Sequence, residues 1–144
     1  SAVDGAALVY LSGGDPRYLA DALRGTQVGD AIERHWRTGG ALAGCSAGAM
    51  VMGTNVPSFR LQRGAPVRGL DLVPGLHVVP HFRASFAWMF KGAPAGELAV
   101  GIEEHTALVR VSGDREWRVA GAGSVHLLSA SPHRVVRSGA SLRL

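Results

Sequence analysis

The stretch Gly39-Gly40-Ala41-Leu42-Ala43-Gly44-Cys45-Ser46-Ala47-Gly48-Ala49-Met50-Val51-Met52 constrains the fold more than any other part of the chain. A glycine pair, a short apolar run, Gly-x-Ser-x-Gly and an Ala/Met run spell strand, tight turn and helix in immediate succession. In an elbow of this kind a strained turn lifts the serine hydroxyl out of the sheet. Small residues are needed on both sides because neighbouring backbone comes very close. The five residues alone would also suit a plain glycine-bearing turn. The strand before them and the helix after them favour the elbow.

The segments upstream supply the rest of a β-α-β-α unit. Ala6-Ala7-Leu8-Val9-Tyr10-Leu11 is a continuous apolar run stopped by Ser12-Gly13-Gly14, the pattern of a strand buried on both faces. Asp15-Pro16 opens a helix, since Asp caps well and Pro suits the first helical position, and Leu19, Ala20 and Leu23 share one face. A second helix is predicted from about Val28 to Arg37, with Ala31, Ile32 and Trp36 apolar and Gly39-Gly40 closing it. Alternation of this kind predicts a parallel sheet with helices on its faces.

From Thr54 to Arg68 periodicity fades and Pro, Gly, Asn and Ser gather, which predicts a surface loop. Leu76-His77-Val78-Val79 predicts another buried strand, running into Pro80-His81-Phe82. Ala107 to Val111, Glu116 to Ala120, Ser124 to Leu128 and Arg134 to Val136 read as short strands of antiparallel hairpins at one edge of the sheet. The expected architecture is therefore α/β. It is an open, mostly parallel sheet flanked by helices with C-terminal antiparallel hairpins, in a single domain over residues 1–144.

Composition narrows the function classes. The 144 residues, 47% hydrophobic, are enough for one core. The net charge of +4 raises nucleic acid as a partner, yet the basic residues, all Arg except Lys91, are spread from Arg17 to Arg143. The densest stretch, Arg60 to Arg68, carries three, so the clustered stripe that a phosphate backbone requires is missing. No apolar run approaches the roughly 18 residues of a membrane span. A single cysteine and no leading basic-then-apolar segment point to neither disulfides nor a secretory signal, and the cytoplasm is the expected location.

Ser46 is thus the candidate nucleophile, and the helix after it aims its first N–H groups at the same spot, where negative charge on a substrate oxygen would be stabilised. Cys45, one place before the apex, is expected to point inward as a small buried hydrophobe. A serine needs a base. Of the six histidines, His81 follows an apolar strand and falls at its carboxyl end, where functional groups gather in an open parallel sheet. His77 is expected in the core and His35 on a solvated helix face, while His105, His126 and His133 lie among the hairpins. His77 and His81 have a zinc-like spacing, but Pro80 denies them a helix, so neither a metal nor a cofactor is expected.

The carboxylate is constrained by a gap: from Ala47 through Leu70 there is no Asp or Glu. Asp71 precedes its strand, at the wrong end. Glu103-Glu104 follow Leu98-Ala99-Val100, and in an extended segment their side chains point to opposite sides, so one of them can face the site. Two other readings share these residues. An esterase of the α/β-hydrolase type runs in the order Ser, acid, His, which would make His126 or His133 the base. The third is a binding module without catalysis.

Four blocks in order carry a wider resemblance: Ser12-Gly13-Gly14-Asp15, Gly39 to Ala49, Gly69-Leu70-Asp71-Leu72-Val73-Pro74-Gly75 leading to Pro80-His81-Phe82, and Gly101-Ile102-Glu103-Glu104-His105-Thr106-Ala107-Leu108. With them the chain resembles the peptidase S51 family, which includes peptidase E (aspartyl dipeptidase) and cyanophycinase and has a class I glutamine amidotransferase-like fold. The resemblance implies Ser46 as nucleophile, His81 as general base and Glu104 as the cyanophycinase-type third member, with the N–H groups of Gly14 and Ala47 as the oxyanion hole. Glu103 stands where the family has Asp or Pro. The peptidase E type takes its acid from the segment just after the nucleophile, and that acid is missing here.

The implied substrate is an acidic peptide, Asp-X or β-Asp-Arg, cleaved on the carboxyl side of Asp. Arg83 is the candidate for its carboxylate, with Arg60, Arg63 and Arg68 as competitors. Family members carry further β-α units before the strand that here begins at Ala6. The expectation is therefore an N-terminally incomplete domain with an exposed apolar edge, completed by a missing segment or a homodimer.

Overall fold

The computed structural model describes residues 3–59, 65, 67–111, 113–130 and 132–144. They fall into two compact units, Ser1–Val56 with Gly64–Gly75, and Pro57–Arg63 with Leu76–Leu144.

In the first unit the order is β1 (Leu8–Leu11), α1 (Pro16–Leu23), α2 (Gln27–Arg37), β2 (Ala41–Gly44) and α3 (Ala47–Val51). The strands pair in parallel, Leu8 opposite Ala41 through Leu11 opposite Gly44. Parallel strands need a crossover, and α1 and α2 supply it. Both helices start as their sequences dictate. The Asp15 carboxylate accepts the Tyr18 N–H at 2.8 Å, with Pro16 at the first helical position. Thr26 caps α2 by accepting the Gly29 N–H at 3.2 Å while its hydroxyl donates to the Leu23 carbonyl at 2.7 Å. Leu11, Ala20, Ala31, Ile32, Ala47, Met50 and Val51 are buried, and the Trp36 indole donates to the Leu72 carbonyl at 2.8 Å.

Three expectations change here. β1 is not buried on both faces: Leu8 and Tyr10 are 53% and 57% exposed, while Leu11 is buried. Side chains alternate along a strand, and α3 packs on the Leu11 side so closely that a Cβ on Gly48 would overlap the Leu11 carbonyl. His35 is only partly solvated. Its Nε2 lies 2.9 Å from the Ala41 carbonyl, and its ring packs against Gly40 where no Cβ would fit, so it ties α2 to the start of β2. The segment after Thr54 is not simply a surface loop, since Val56 and Pro57 are buried and Asn55 bridges Arg68. Arg60 and Arg63 lie outside the described residues.

The second unit contains β3 (Leu76–Val79), a 3-10 helix (Ala84–Met89), β4 (Leu98–Ile102), β5 (Thr106–Val109), β6 (Trp117–Gly121), β7 (Ser124–Leu127), β8 (Arg134–Arg137) and β9 (Ser141–Leu142). Every residue of β3 is buried, His77 included, as the apolar residues around it predict. β3 and β4 pair in parallel, Val79 beside Gly101, and the sheet runs β3-β4-β7-β8 with the last two antiparallel. The predicted hairpin strands are all present but do not form one edge. β7 and β8 extend the β3–β4 sheet, whereas β5, β6 and β9 form a sheet of their own. The turn between β6 and β7 divides them. Gly121, the last residue of β6, has φ +111 and no room for a Cβ beside the His105 carbonyl. Among the described residues no helix is long and apolar enough to cross a membrane.

Candidate active site

The first unit positions Ser46. Its backbone stands at φ 49 and ψ −117, a region that costs a side-chain-bearing residue about 1–3 kcal/mol. The surroundings enforce it. The Cys45 N–H donates to the Leu11 carbonyl and the Gly48 N–H to the Ser12 carbonyl, both at 3.1 Å, stitching the turn to the end of β1. A Cβ on Gly44 would come within 2.7 Å of the Gly48 carbonyl carbon, so both glycines of the motif are sterically required. Ser46 stands where a capping residue would, yet its hydroxyl makes no capping bond to α3. Gly13 lies beside it: a Cβ there would be 3.8 Å from Ser46 Oγ. Of the two oxyanion candidates, Gly14 has φ +137, and Ala47 is the buried first residue of α3, whose N–H has no partner within the helix.

The strain makes a testable statement about stability. Glycine tolerates this conformation but loses about 0.5–1 kcal/mol through its freer unfolded chain. Ser46→Gly is therefore expected to unfold at a higher urea concentration than Ser46→Ala, by about 1 kcal/mol. Equal midpoints would mean that the turn is relaxed.

Cys45 corrects an expectation. It is exposed, not buried, one residue beyond the end of β2 and beside the uncovered Tyr10 of β1. Hydrogen bonding between the Cys45 thiol and the Tyr10 phenol, together with desolvation, holds the phenol above its ordinary value of 10.0.

The second unit positions a histidine and a carboxylate. His81 follows β3 and Pro80, at φ 54, a conformation uncommon for a residue with a Cβ. Its Nδ1 lies 2.7 Å from Glu104 Oε1. An ionised carboxylate only accepts, so Nδ1–H is the donor and Nε2 is the acceptor nitrogen of the neutral ring. The His81 bond, more than the nearby His105 and Arg83 charges, holds the Glu104 carboxyl below its ordinary 4.5. Arg83 is exposed, two residues after His81.

Glu103 and Glu104 do point apart, and each finds its own histidine. Glu103 Oε1 accepts from His126 Nε2 at 2.8 Å and Oε2 accepts the Ser124 N–H at 2.8 Å. These two bonds, His126 first, hold its carboxyl below the ordinary 4.5. A carboxylate so depressed stabilises the folded chain above its unfolded value and loses that contribution as pH falls through its folded value. Glu103→Gln is thus expected to differ most from wild type near neutral pH, with the gap in urea midpoint closing as pH drops below about 4.5. A gap that stays constant down to acid pH would refute this.

The remaining candidates separate. His77 is buried, as expected, and its Nε2 pairs with Glu97, which the sequence analysis did not single out. Asp71 accepts from the Thr54 hydroxyl at 2.6 Å in the first unit, while the same hydroxyl accepts the Gly75 N–H, so this acid is engaged in shaping a turn. His126 is 5% exposed and its ring packs, tilted, against Phe82 and His133, at 4.7 and 5.3 Å between centroids. The His126–Glu103 pair was also missed. Two successive acids at a strand end, with a histidine at the middle of a predicted strand, were the only signal for it.

Comparisons with known proteins agree with the resemblance in the sequence. Residues 1–116 match Peptidase family S51. Two cyanophycinases, from Trichormus variabilis and Nostoc sp., are each 33% identical over 132 residues, covering 83% of this chain and 44% of their own length. The chain therefore spans less than half of the curated relatives it matches. A crystal structure of a peptidase from an acI-B1 Actinobacterium superposes with a TM-score of 0.87 at 42% identity, covering 99% of this chain and 62% of that one. A protein of Listeria monocytogenes EGD-e provisionally named peptidase E shares the fold, with a TM-score of 0.62 at 16% identity over 85% of this chain and 63% of that one. With the elbow at Ser46, the His81–Glu104 pair and a match over residues 1–116, the chain belongs to peptidase family S51.

Proposed function

We propose that the chain carries the catalytic residues of a serine peptidase that hydrolyses peptide bonds on the carboxyl side of Asp. The observation that carries this reading is the 2.7 Å bond from His81 Nδ1 to Glu104. It assigns the ring the tautomer a general base needs, with the lone pair on Nε2. In the proposed mechanism Ser46 Oγ attacks the peptide carbonyl as His81 Nε2 takes its proton. The tetrahedral oxyanion is held by the Gly14 and Ala47 N–H groups, and Glu104 stabilises the imidazolium that forms. His81 then protonates the departing amine, and water, deprotonated by the same nitrogen, releases the acyl group from Ser46.

Arg83 is proposed to meet the substrate's aspartyl carboxylate, and the exposed Leu8/Tyr10 face to be covered by a second copy of the chain. A solution mass equal to the 15.0 kDa monomer would contradict that second copy. The esterase reading needs His126 or His133 as the base. His126 is poorly suited, being buried with Nε2 already held by Glu103. Hydrolysis of Asp-X and β-Asp-Arg dipeptides, set against ordinary X-Y dipeptides, tests the specificity. Covalent labelling of wild type but not Ser46→Ala by a fluorophosphonate tests the nucleophile. Turnover of ordinary dipeptides at the same rate would remove the aspartyl assignment.

A further inference from the structure

We propose that Glu103 and His126 form a positioning pair that holds the His81–Glu104 pair in register without touching substrate. This rests on the catalytic reading of His81 and Glu104 given above.

His126 reaches both members of the catalytic pair through their chain neighbours. On one side it is bonded to Glu103, the residue before Glu104. On the other its ring packs against Phe82, the residue after His81, at 4.7 Å between centroids with the planes tilted by 48°. Phe82 is itself anchored. It is buried, its N–H donates to the Ile102 carbonyl at 2.9 Å, and its ring fills the space a Cβ on Gly101 would need.

The turn that carries Glu104 is held from several directions. The Glu103 N–H donates to the Ser124 carbonyl at 3.2 Å, and the Ser124 N–H returns to Glu103 Oε2 at 2.8 Å. Thr106 Oγ1 donates to the Glu104 carbonyl at 3.0 Å and accepts the Gly123 N–H at 2.9 Å. A Cβ on Gly123 would stand 2.7 Å from both Glu103 Oε2 and Thr106 Oγ1, so the turn after β6 closes directly over the Glu103 carboxylate. By contrast the His81 and Glu104 side chains are 58% and 53% exposed. A bond between two half-solvated side chains restrains its own geometry weakly. The restraint has to come from what lies beneath it.

The chemistry of Glu103 is specific to this task. Both carboxylate oxygens accept from N–H donors, one from His126 and one from Ser124. Glutamine has one oxygen and one NH₂, so one of those donors would face another donor. His126 contributes a second constraint. Its Nδ1 is buried with no hydrogen-bond partner among the described residues. Because Nε2–H faces a carboxylate, Nδ1 carries the lone pair, and an unpaired buried acceptor is tolerated where a second unpaired N–H would not be. The ring is therefore held in one tautomer and one orientation.

The test is the kinetics and proton NMR of Glu103→Gln and His126→Leu. In each, kcat for the dipeptide wild type turns over is expected to fall about 10- to 100-fold, with KM changed by less than about threefold. The downfield Nδ1–H resonance of His81, assigned by its loss in His81→Ala, is expected to broaden or vanish in both. His126→Leu keeps the buried volume apolar and leaves Glu103 Oε1 to water, so it carries the test where Glu103→Gln fails to fold. Either folded variant with kcat within twofold of wild type and an unchanged His81 resonance would overturn the proposal. The NMR readout is independent of turnover. A wild type that cleaves no peptide would defeat the catalytic reading alone, while the resonance would still decide whether the pair positions His81.

Discussion

Ser46→Ala is expected to lower kcat against the best Asp-X or β-Asp-Arg substrate by about 10⁴–10⁶-fold, the loss that follows when a covalent nucleophile is deleted and only binding and oxyanion stabilisation remain. The fold is expected to survive, because the turn is held by the Cys45 and Gly48 backbone bonds and alanine fits wherever serine does. Steady-state kinetics and a urea melt on the same preparation check both parts. Retention of more than about a tenth of wild-type turnover by a folded variant would remove Ser46 from the chemistry. Cys45, exposed one residue away, would then be the group to examine.

Glu104→Gln is expected to cost about 10²–10⁴ in kcat. Two contributions add. The carboxylate makes Nδ1 the protonated nitrogen of His81, and an amide turned with its NH₂ toward the ring would reverse that assignment and put the proton on the nitrogen that must accept one. In the proposed mechanism the carboxylate also stabilises the imidazolium that forms in the transition state. That electrostatic part is moderated because the Glu104 side chain is 53% exposed. Salt is therefore expected to reduce the wild-type rate slightly and to leave the variant unaffected, since screening acts on the charge and not on the tautomer. A Glu104→Gln variant with unchanged kcat would show that another group orients His81. Glu103, whose oxygens are taken by His126 and Ser124, is poorly placed to substitute.

The proposed positioning pair separates these effects by size. In the proposed scheme removing Glu104 would take away a charge that touches the reacting imidazole, whereas removing Glu103 would loosen the turn carrying Glu104. The second loss should be the smaller and should fall on kcat, because neither Glu103 nor His126 is proposed to contact substrate.

What the sequence determined by itself is what a few consecutive residues enforce. Asp15-Pro16 starts α1 through a bond spanning three residues. The glycines at 44 and 48 permit a turn that no bulkier residue allows, and the apolar run 76–79 has no polar face to turn outward except that of His77. The rest was decided by strand register between distant segments. Glu104 meets His81 and Glu103 meets His126 across the same separation of 23 residues, so spacing could not say which acid faced which histidine. That choice belongs to the pairing of Gly101 with Val79 on one side of β4 and with His126 on the other. Cys45 and His35 defied expectation for the same reason. Whether a side chain on a strand or helix is covered depends on which neighbour packs against that face, and the neighbours here are Tyr10 for Cys45 and Gly40 with the Ala41 carbonyl for His35.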